Sequence, residues 1–291
     1  MHVHSRFSGP CTTGFLGAFC RESYSDPHEV YEVLRRRRMT LFTLTDHDSI
    51  EGAERLRRYS NFFLSEELTC LMPSGTEVHI GVYDIEESQH EPLLRRRSDL
   101  VALLMYLTER QIFFTVNHVF SRLTGPRHPE DFEWFQHFFP AIETRNGHML
   151  ETANDLAANL AERWVKIPVG GSDAHSLASL GTTYTDVPGA RHKHEFFAGL
   201  KNGFGRVGGE SGSFRKLTRD VYLIAVEMMR ETKWTKLLAP LAALVPAATY
   251  LNYRKEDAFS RHWAERVLGV IPARRRPSWI AIPPRAAEES A

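Results

Sequence analysis

The chain has 291 residues, 36 basic and 36 acidic side chains, and a formal net charge of zero. That length can bury a full-sized core, and the balanced charge argues against nucleic acid or an anionic membrane as the default partner. The longest apolar stretch, Leu237–Leu251, carries two prolines and falls short of the ~20 residues a membrane span needs.

Three scattered cysteines (Cys11, Cys20, Cys70) with no CxxC pair fit a reducing compartment. The N-terminus is polar and His-rich and reads as no signal peptide, so the expected localisation is cytoplasmic. The unusual feature is 14 histidines, and their positions matter more than their number.

Met1–Ser5 reads MHVHS. In a strand, His2 and His4 share one face, a geometry suited to two imidazoles on one metal. The strand is expected to reach back beyond Met1 and so looks clipped. Phe7–Pro27 is loop-like. Asp26-Pro27 then opens a helix through Val30, Val33 and Leu34, with Asp26 as N-cap. Arg35–Arg38 closes it and reads as a solvated face that suits the helix dipole.

Thr40–Asp48, TLFTLTDHD, is an apolar run that stops abruptly at Asp46, His47 and Asp48. It reads as a buried strand with ionisable groups at its C-terminal end, where parallel α/β folds keep their chemistry. The bland alternative is a turn in which Asp46 caps the next helix. A helix is expected from Ile50 to Tyr59. Phe62–Leu64 then runs into Ser65–Thr69, with Glu66 and Glu67. Pro73-Ser74-Gly75 turns the chain, and Val78–Tyr83 returns carrying His79. A hairpin here brings Glu67 and His79 together.

Glu91–Arg110 has helical periodicity. Ile112–Val116 is a strand ending in Asn117-His118. Pro129–Phe139 is an aromatic-rich helix whose rings read as core. Ala141–Thr144 is a strand containing Glu143 and ending in Arg145-Asn146-Gly147. After a helix over Leu150–Trp164, strand Ile167–Gly171 ends in Ser172-Asp173-Ala174-His175. Beyond Ser213 the pattern becomes helical: Phe214–Arg230, Trp234–Tyr250 interrupted by Pro240 and Pro246, and Asp257–Leu268. Ala273–Ala291 reads as a mobile tail.

Strand after strand therefore ends in His, Asp or Glu, which predicts an α/β parallel fold with its site at the strand ends. His2, His4, Asp46, His47, Glu67, His79, His118, Asp173 and His175 are the candidate metal ligands. Imidazoles with bridging carboxylates suit Zn, Mn or Fe better than Mg or Ca.

HVHS, then TDHD, then a Glu-bearing hairpin returning a His, then a strand-end His, then GSDAH, resembles the PHP (polymerase and histidinol phosphatase) family, in its stand-alone metal-dependent phosphoesterase form. The resemblance covers about His2–Val207. It implies a distorted (β/α)7 barrel with two or three divalent ions at the strands' C-terminal ends. By motif, His2, His4, Glu67 and Asp173 would hold one ion. Glu67 would bridge to a second held by His79 and His118. His47 and His175 would serve a third, with Asp46 supporting or coordinating. Glu67 is preferred over Glu77 as the bridge. One departure stands out. Where the family has an Asp after the first motif, this chain has Gly9, which predicts a weak or missing third ion.

The expected organisation is a metal-dependent hydrolase domain over 1–213, a helical extension over 214–272, and the tail over 273–291. The expected reaction is hydrolysis of a small-molecule or nucleotide phosphate ester by a metal-activated water. His47, His118 and His175 are the catalytic candidates, and Arg122 and Arg145 the phosphate-binding ones. A second enzyme reading, amide hydrolysis, needs a different motif order. The rival from another class is a degenerate barrel that binds a ligand or partner. The C-terminal helices are expected to cover the barrel or form an oligomer face.

Overall fold

The computed structural model describes residues 1–10 and 20–269, so the expected tail over 273–291 lies outside the described residues. The organising element is a five-stranded mixed sheet in the order β1 (Ser65–Leu71), β2 (Glu77–Tyr83), β3 (Phe113–Val116), β4 (Ala141–Asn146), β5 (Ile167–Gly171). β2 runs antiparallel to both β1 and β3, whereas β3, β4 and β5 are parallel. The antiparallel pair follows from the short turn at Gly75, whose φ of +82° glycine adopts without strain.

Among the described residues, a closed (β/α)7 barrel of parallel strands is therefore not present as a regular sheet. The expected strands at the N-terminus and at 39–45 are isolated bridges instead: Val3 with Ala174, Phe42 with Phe62, and His47 with Glu67. Side-chain hydroxyls take over ladder bonds here. Val3 N donates to Thr45 Oγ1 at 3.0 Å, and Thr43 Oγ1 donates to the Phe63 carbonyl at 2.8 Å. The backbone partners are still satisfied, as buried groups require, without a continuous ladder.

Helix α1 (Pro27–Arg36) begins as expected, with Asp26 Oδ1 accepting from His28 N. The expected helix over 50–59 is only one turn, α2 (Glu51–Glu54). The expected helix over 91–110 is two helices, α3 (Glu87–Leu94) and α4 (Leu100–Glu109), because Asp99 caps a fresh start by accepting from Ala102 N. α5 (Pro129–Phe138) and α6 (Glu151–Arg163) follow the periodicity. A ribbon of β6 (Thr183–Asp186) and β7 (Arg206–Gly209), with α7 (Lys193–Lys201) between them, was not expected. Its strands are too short to show a period.

The C-terminal part is α8 (Phe214–Glu231), a 3-10 helix over Lys233–Leu244, and one continuous α9 (Val245–Leu268). Pro246 sits in the first turn of α9, where its missing N–H costs nothing, so it starts a helix rather than breaking one. No helix among the described residues is long and apolar enough to cross a membrane. The largest core cluster joins β1–β3 to α4, α5, α6 and the end of α9. Smaller clusters pack α1 against Val3, Phe42 and Leu44, and α7 against Phe63, Tyr83 and Phe113.

Candidate metal centre

Val3 is buried in the cluster under α1, which turns its two neighbours, His2 and His4, to the opposite side. There the two Nε2 atoms lie 3.0 Å apart. Glu67 of β1 lies at the centre of the group. Its Oε2 is 3.0 Å from His2 Nε2, 3.3 Å from His4 Nε2 and 3.5 Å from His47 Nε2. Its other oxygen, Oε1, is 3.4 Å from His118 Nε2 and 3.7 Å from His79 Nδ1. Asp173 Oδ1 completes the first group at 3.2 Å from His4 and 3.5 Å from His2.

These side chains are the sequence candidates, now brought together. Among the described residues, four overlapping trios have donor atoms mutually within 4.8 Å: His2/Glu67/His118, His2/His4/Asp173, His47/Glu67/His79 and His4/Glu22/His47. Glu77, the alternative to Glu67, is half-buried, meets His79 Nε2 at 3.4 Å and belongs to none of these trios.

The last trio contains a residue the sequence reading missed. Glu22 Oε2 is 3.5 Å from His47 Nε2, and Glu22 Oε1 is 3.4 Å from His175 Nε2. Gly9 offers no carboxylate, but Glu22 puts one between His47 and His175. No motif spacing marks it. The backbone bridge from Pro10 to Arg21 brings it to the site.

Asp46 belongs to none of the four trios. Both its oxygens are used by Ser5, accepting from the backbone N at 2.5 Å and the hydroxyl at 2.7 Å. It anchors the N-terminal segment at Ser5, next to His4. Three further groups orient the imidazoles and Glu67. Glu143 Oε1 meets His2 Nδ1 at 2.8 Å, Ser8 Oγ meets His4 Nδ1 at 2.9 Å, and Asn117 Nδ2 donates to Glu67 Oε1 at 2.7 Å. Glu143 Oε2 also accepts from His118 N, whose φ of +27° is a strained conformation for histidine.

The electrostatics are those of a site built for cations. Burial opposes charge on Glu67, yet His2, His47 and His79 hold its carboxyl well below the usual range. Burial likewise opposes charge on Glu22, but His175 and His47 bring it down to about 2. His4, despite burial, is raised to about 10 by Asp173 and Glu67. Burial drives His47 down to about 3.

The residues fit bound ions. His79 Nδ1 is buried with no hydrogen-bond partner, 3.7 Å from Glu67 Oε1 and too far for a direct bond. Ligand atoms about 2.0–2.2 Å from one tetrahedral ion stand about 3.3–3.6 Å apart. Most of the His–carboxylate spacings here fall in or near that range. The site is also graded. His2, His4 and Glu67 are fully buried, while Glu22, His47, Asp173 and His175 keep 13–14% exposure, so the open side is theirs.

The two candidate arginines diverge. β4 carries an irregularity between Glu143 and Arg145, which turns Arg145 away from the face Glu143 uses. Arg145 Nη1 donates to the Gly209 carbonyl and to Ser211 Oγ. Arg122 is half-buried, on the segment following His118, with its backbone N held by Glu256.

The chain matches the family model described as PHP-associated over residues 151–203. None of the curated proteins matches it in sequence. Among solved structures it resembles PsfC from Pseudomonas syringae PB-5123, with a TM-score of 0.52 and 15% identity, over 79% of this chain and 98% of that one. A candidate metal-dependent phosphoesterase from Bifidobacterium adolescentis aligns at 0.46 and 12% identity, over 69% and 95%. An amidohydrolase from Chromobacterium violaceum, with bound sulfate and no metal, aligns at 0.47 and 16%, over 72% and 96%. With PsfC, at this identity, the likeness is one of fold. The PHP-associated match, over residues 151–203, agrees with the motif order that resembles the PHP family.

Proposed function

We propose that this protein is a metal-dependent phosphoesterase acting on a small-molecule or nucleotide phosphate ester, with two to three divalent ions (Zn, Mn or Fe). The observation that carries the reading is Glu67. It is a fully buried carboxylate whose two oxygens face different histidine groups, His2, His4 and His47 on one side and His79 and His118 on the other. A carboxylate so placed is suited to bridge two cations.

When bound, the ions would polarise a phosphoryl oxygen and lower the pKa of a bound water. His2, His4, Glu67 and Asp173 would hold the first, and Glu67, His79 and His118 the second. His47, His175 and Glu22 would hold the third, in place of the carboxylate missing at Gly9. Ser8 and Glu143 fix the imidazole tautomers, and Asn117 holds Glu67 in its bridging orientation. Substrate approaches over the exposed side, where Glu22, His47 and His175 lie. Arg122, near His118, binds the phosphate. Arg145 braces the β7 end instead, because its guanidinium is already engaged.

The isolated bridges at Val3, Phe42 and His47 support a barrel-like course of the chain around the site. In this reading residues 1–213 form the hydrolase domain and α8–α9 an added cover, which could also serve as an oligomer face. The test is metal content per chain together with phosphate release from an aryl phosphate, for wild type and Glu67→Gln. Two or more ions and turnover, both lost on Glu67→Gln, support the reading. Wild type without metal or turnover overturns it and leaves a binding module.

A further inference from the structure

Asp220 lies outside every motif that carries the site, in the middle of α8, yet it is 2% exposed. Its carboxylate collects donors from two separate segments at the metal centre. Ser176 Oγ, one residue beyond His175, donates to Oδ1 at 3.1 Å. Ser179 Oγ donates to Oδ2. His148 Nε2, from the loop after β4, meets Oδ2 at 3.1 Å. The His148 ring in turn stacks on His175, with centroids 5.3 Å apart and planes 20° from parallel. On its other side His175 stacks on His4 at 4.5 Å. His175 is thus held between two rings, and Asp220 grips one of them as well as the backbone segment that follows.

The far end of the same helix reaches the other half of this ligand pair. Glu231 accepts from Arg6 Nη2 at 2.8 Å and from Arg21 Nε at 3.3 Å. Arg21 immediately precedes Glu22. Asp220 and Glu231 are separated along the helix by about 16 Å at 1.5 Å per residue. One rigid rod therefore touches the supports of His175 and of Glu22. Contacts with the 3-10 segment and α9, including Thr218 Oγ1 to Thr249 Oγ1 at 2.8 Å, hold the rod from behind.

We propose that α8 positions the third ion's ligands, with Asp220 fixing His175 through Ser176 and the His148 ring, and Glu231 fixing Glu22 through Arg21. The inference rests on the phosphoesterase reading and extends it: the C-terminal helices are part of the metal centre and not only a cover. Asp220 and Glu231 are positioning residues and touch no ion. Asp220 is the stronger hold, because its bonds are buried. Glu231 and its arginines are 36–46% exposed, where an ion pair is weak.

The test is manganese titration of the full chain, reading the number of ions bound and the dissociation constant of each step, for wild type, Asp220→Ala, Asp220→Asn and Glu231→Gln. Wild type should bind three ions. Asp220→Ala should weaken the third step at least about tenfold, the lower end of the range for groups that orient metal ligands, and leave the first two within about twofold. Asp220→Asn keeps one acceptor and should fall between the two. Glu231→Gln should weaken only the third step, by a smaller factor. An Asp220 role limited to general stability would weaken all three steps together with the melting temperature, and that pattern overturns the proposal. So does an unchanged third step. If Asp220→Ala fails to fold, Asp220→Asn and Glu231→Gln carry the same comparison. Wild type that binds only two ions yet turns over substrate overturns this inference and leaves the phosphoesterase reading intact. Wild type that binds none overturns both.

Discussion

Glu22 Oε1 stands 3.4 Å from His175 Nε2, between a loop glutamate and a motif histidine that no sequence pattern connects. The same carboxylate reaches His47 through its other oxygen, at 3.5 Å. Glu22 thus supplies a carboxylate between two histidines where Gly9 offers none. Glu22→Gln is expected to remove the third metal equivalent and leave two. Elemental analysis of the purified variant checks this, and three retained ions would refute the assignment.

Glu143 holds the imidazole of His2 and the backbone of His118 at once. Groups that orient metal ligands typically cost about 10–100-fold in affinity or activity when lost. Glu143→Gln should fall in that range, and under the proposed assignment of His2 and His118 to different ions both of the first two should weaken. Stepwise metal titration separates this from loss of a single site.

Asp46 makes the opposite prediction. Its oxygens are satisfied by Ser5, and its buried carboxyl is raised by desolvation against those bonds. Asp46→Ala leaves a buried N–H and hydroxyl unpaired, at about 1–3 kcal/mol each. The expected result is a lower denaturant midpoint with the ion count unchanged, once the variant is folded and loaded. An intact midpoint with one ion missing would make Asp46 a ligand after all.

Gly171 is required by close approach. A Cβ there would lie 2.2 Å from His2 Cβ and 2.5 Å from His2 N. The obstacle is partly backbone, so the MHVH segment has to shift. Overpacking of this kind costs about 1–3 kcal/mol. Gly171→Ala should lower stability and also weaken the first ion. An X-ray structure with the His2–His4 segment unmoved would contradict this.

The pH dependence of the metal-free protein follows from His4, which is raised from 6.5 to about 10. Its folded value lies above its unfolded one. Its contribution to stability is therefore full below pH 6.5 and is lost as pH rises through about 10. An ion must displace that proton, so metal affinity should rise over the same interval. Chelated protein should melt at falling temperature as pH increases, while the dissociation constant for metal decreases. Affinity that is flat with pH would exclude a protonated His4 in the free site.

The sequence by itself determined the residue types of the cluster and most of its members. His2-x-His4 had to share a face because strand side chains alternate, and Glu67 and His79 had to come close because a five-residue connection joins their antiparallel strands. The helix starts at Asp26 and Pro129 were equally legible, because capping is local chemistry. Only the tertiary structure decided three other things. Glu22, Asp220 and Glu231 reach the centre through contacts between distant segments, and no short-range period records those. The sheet does not close regularly, because threonine hydroxyls replace ladder bonds at the expected first strands. Arg145 is withdrawn from the face of Glu143 by an irregularity in β4, which simple alternation along the chain cannot reveal.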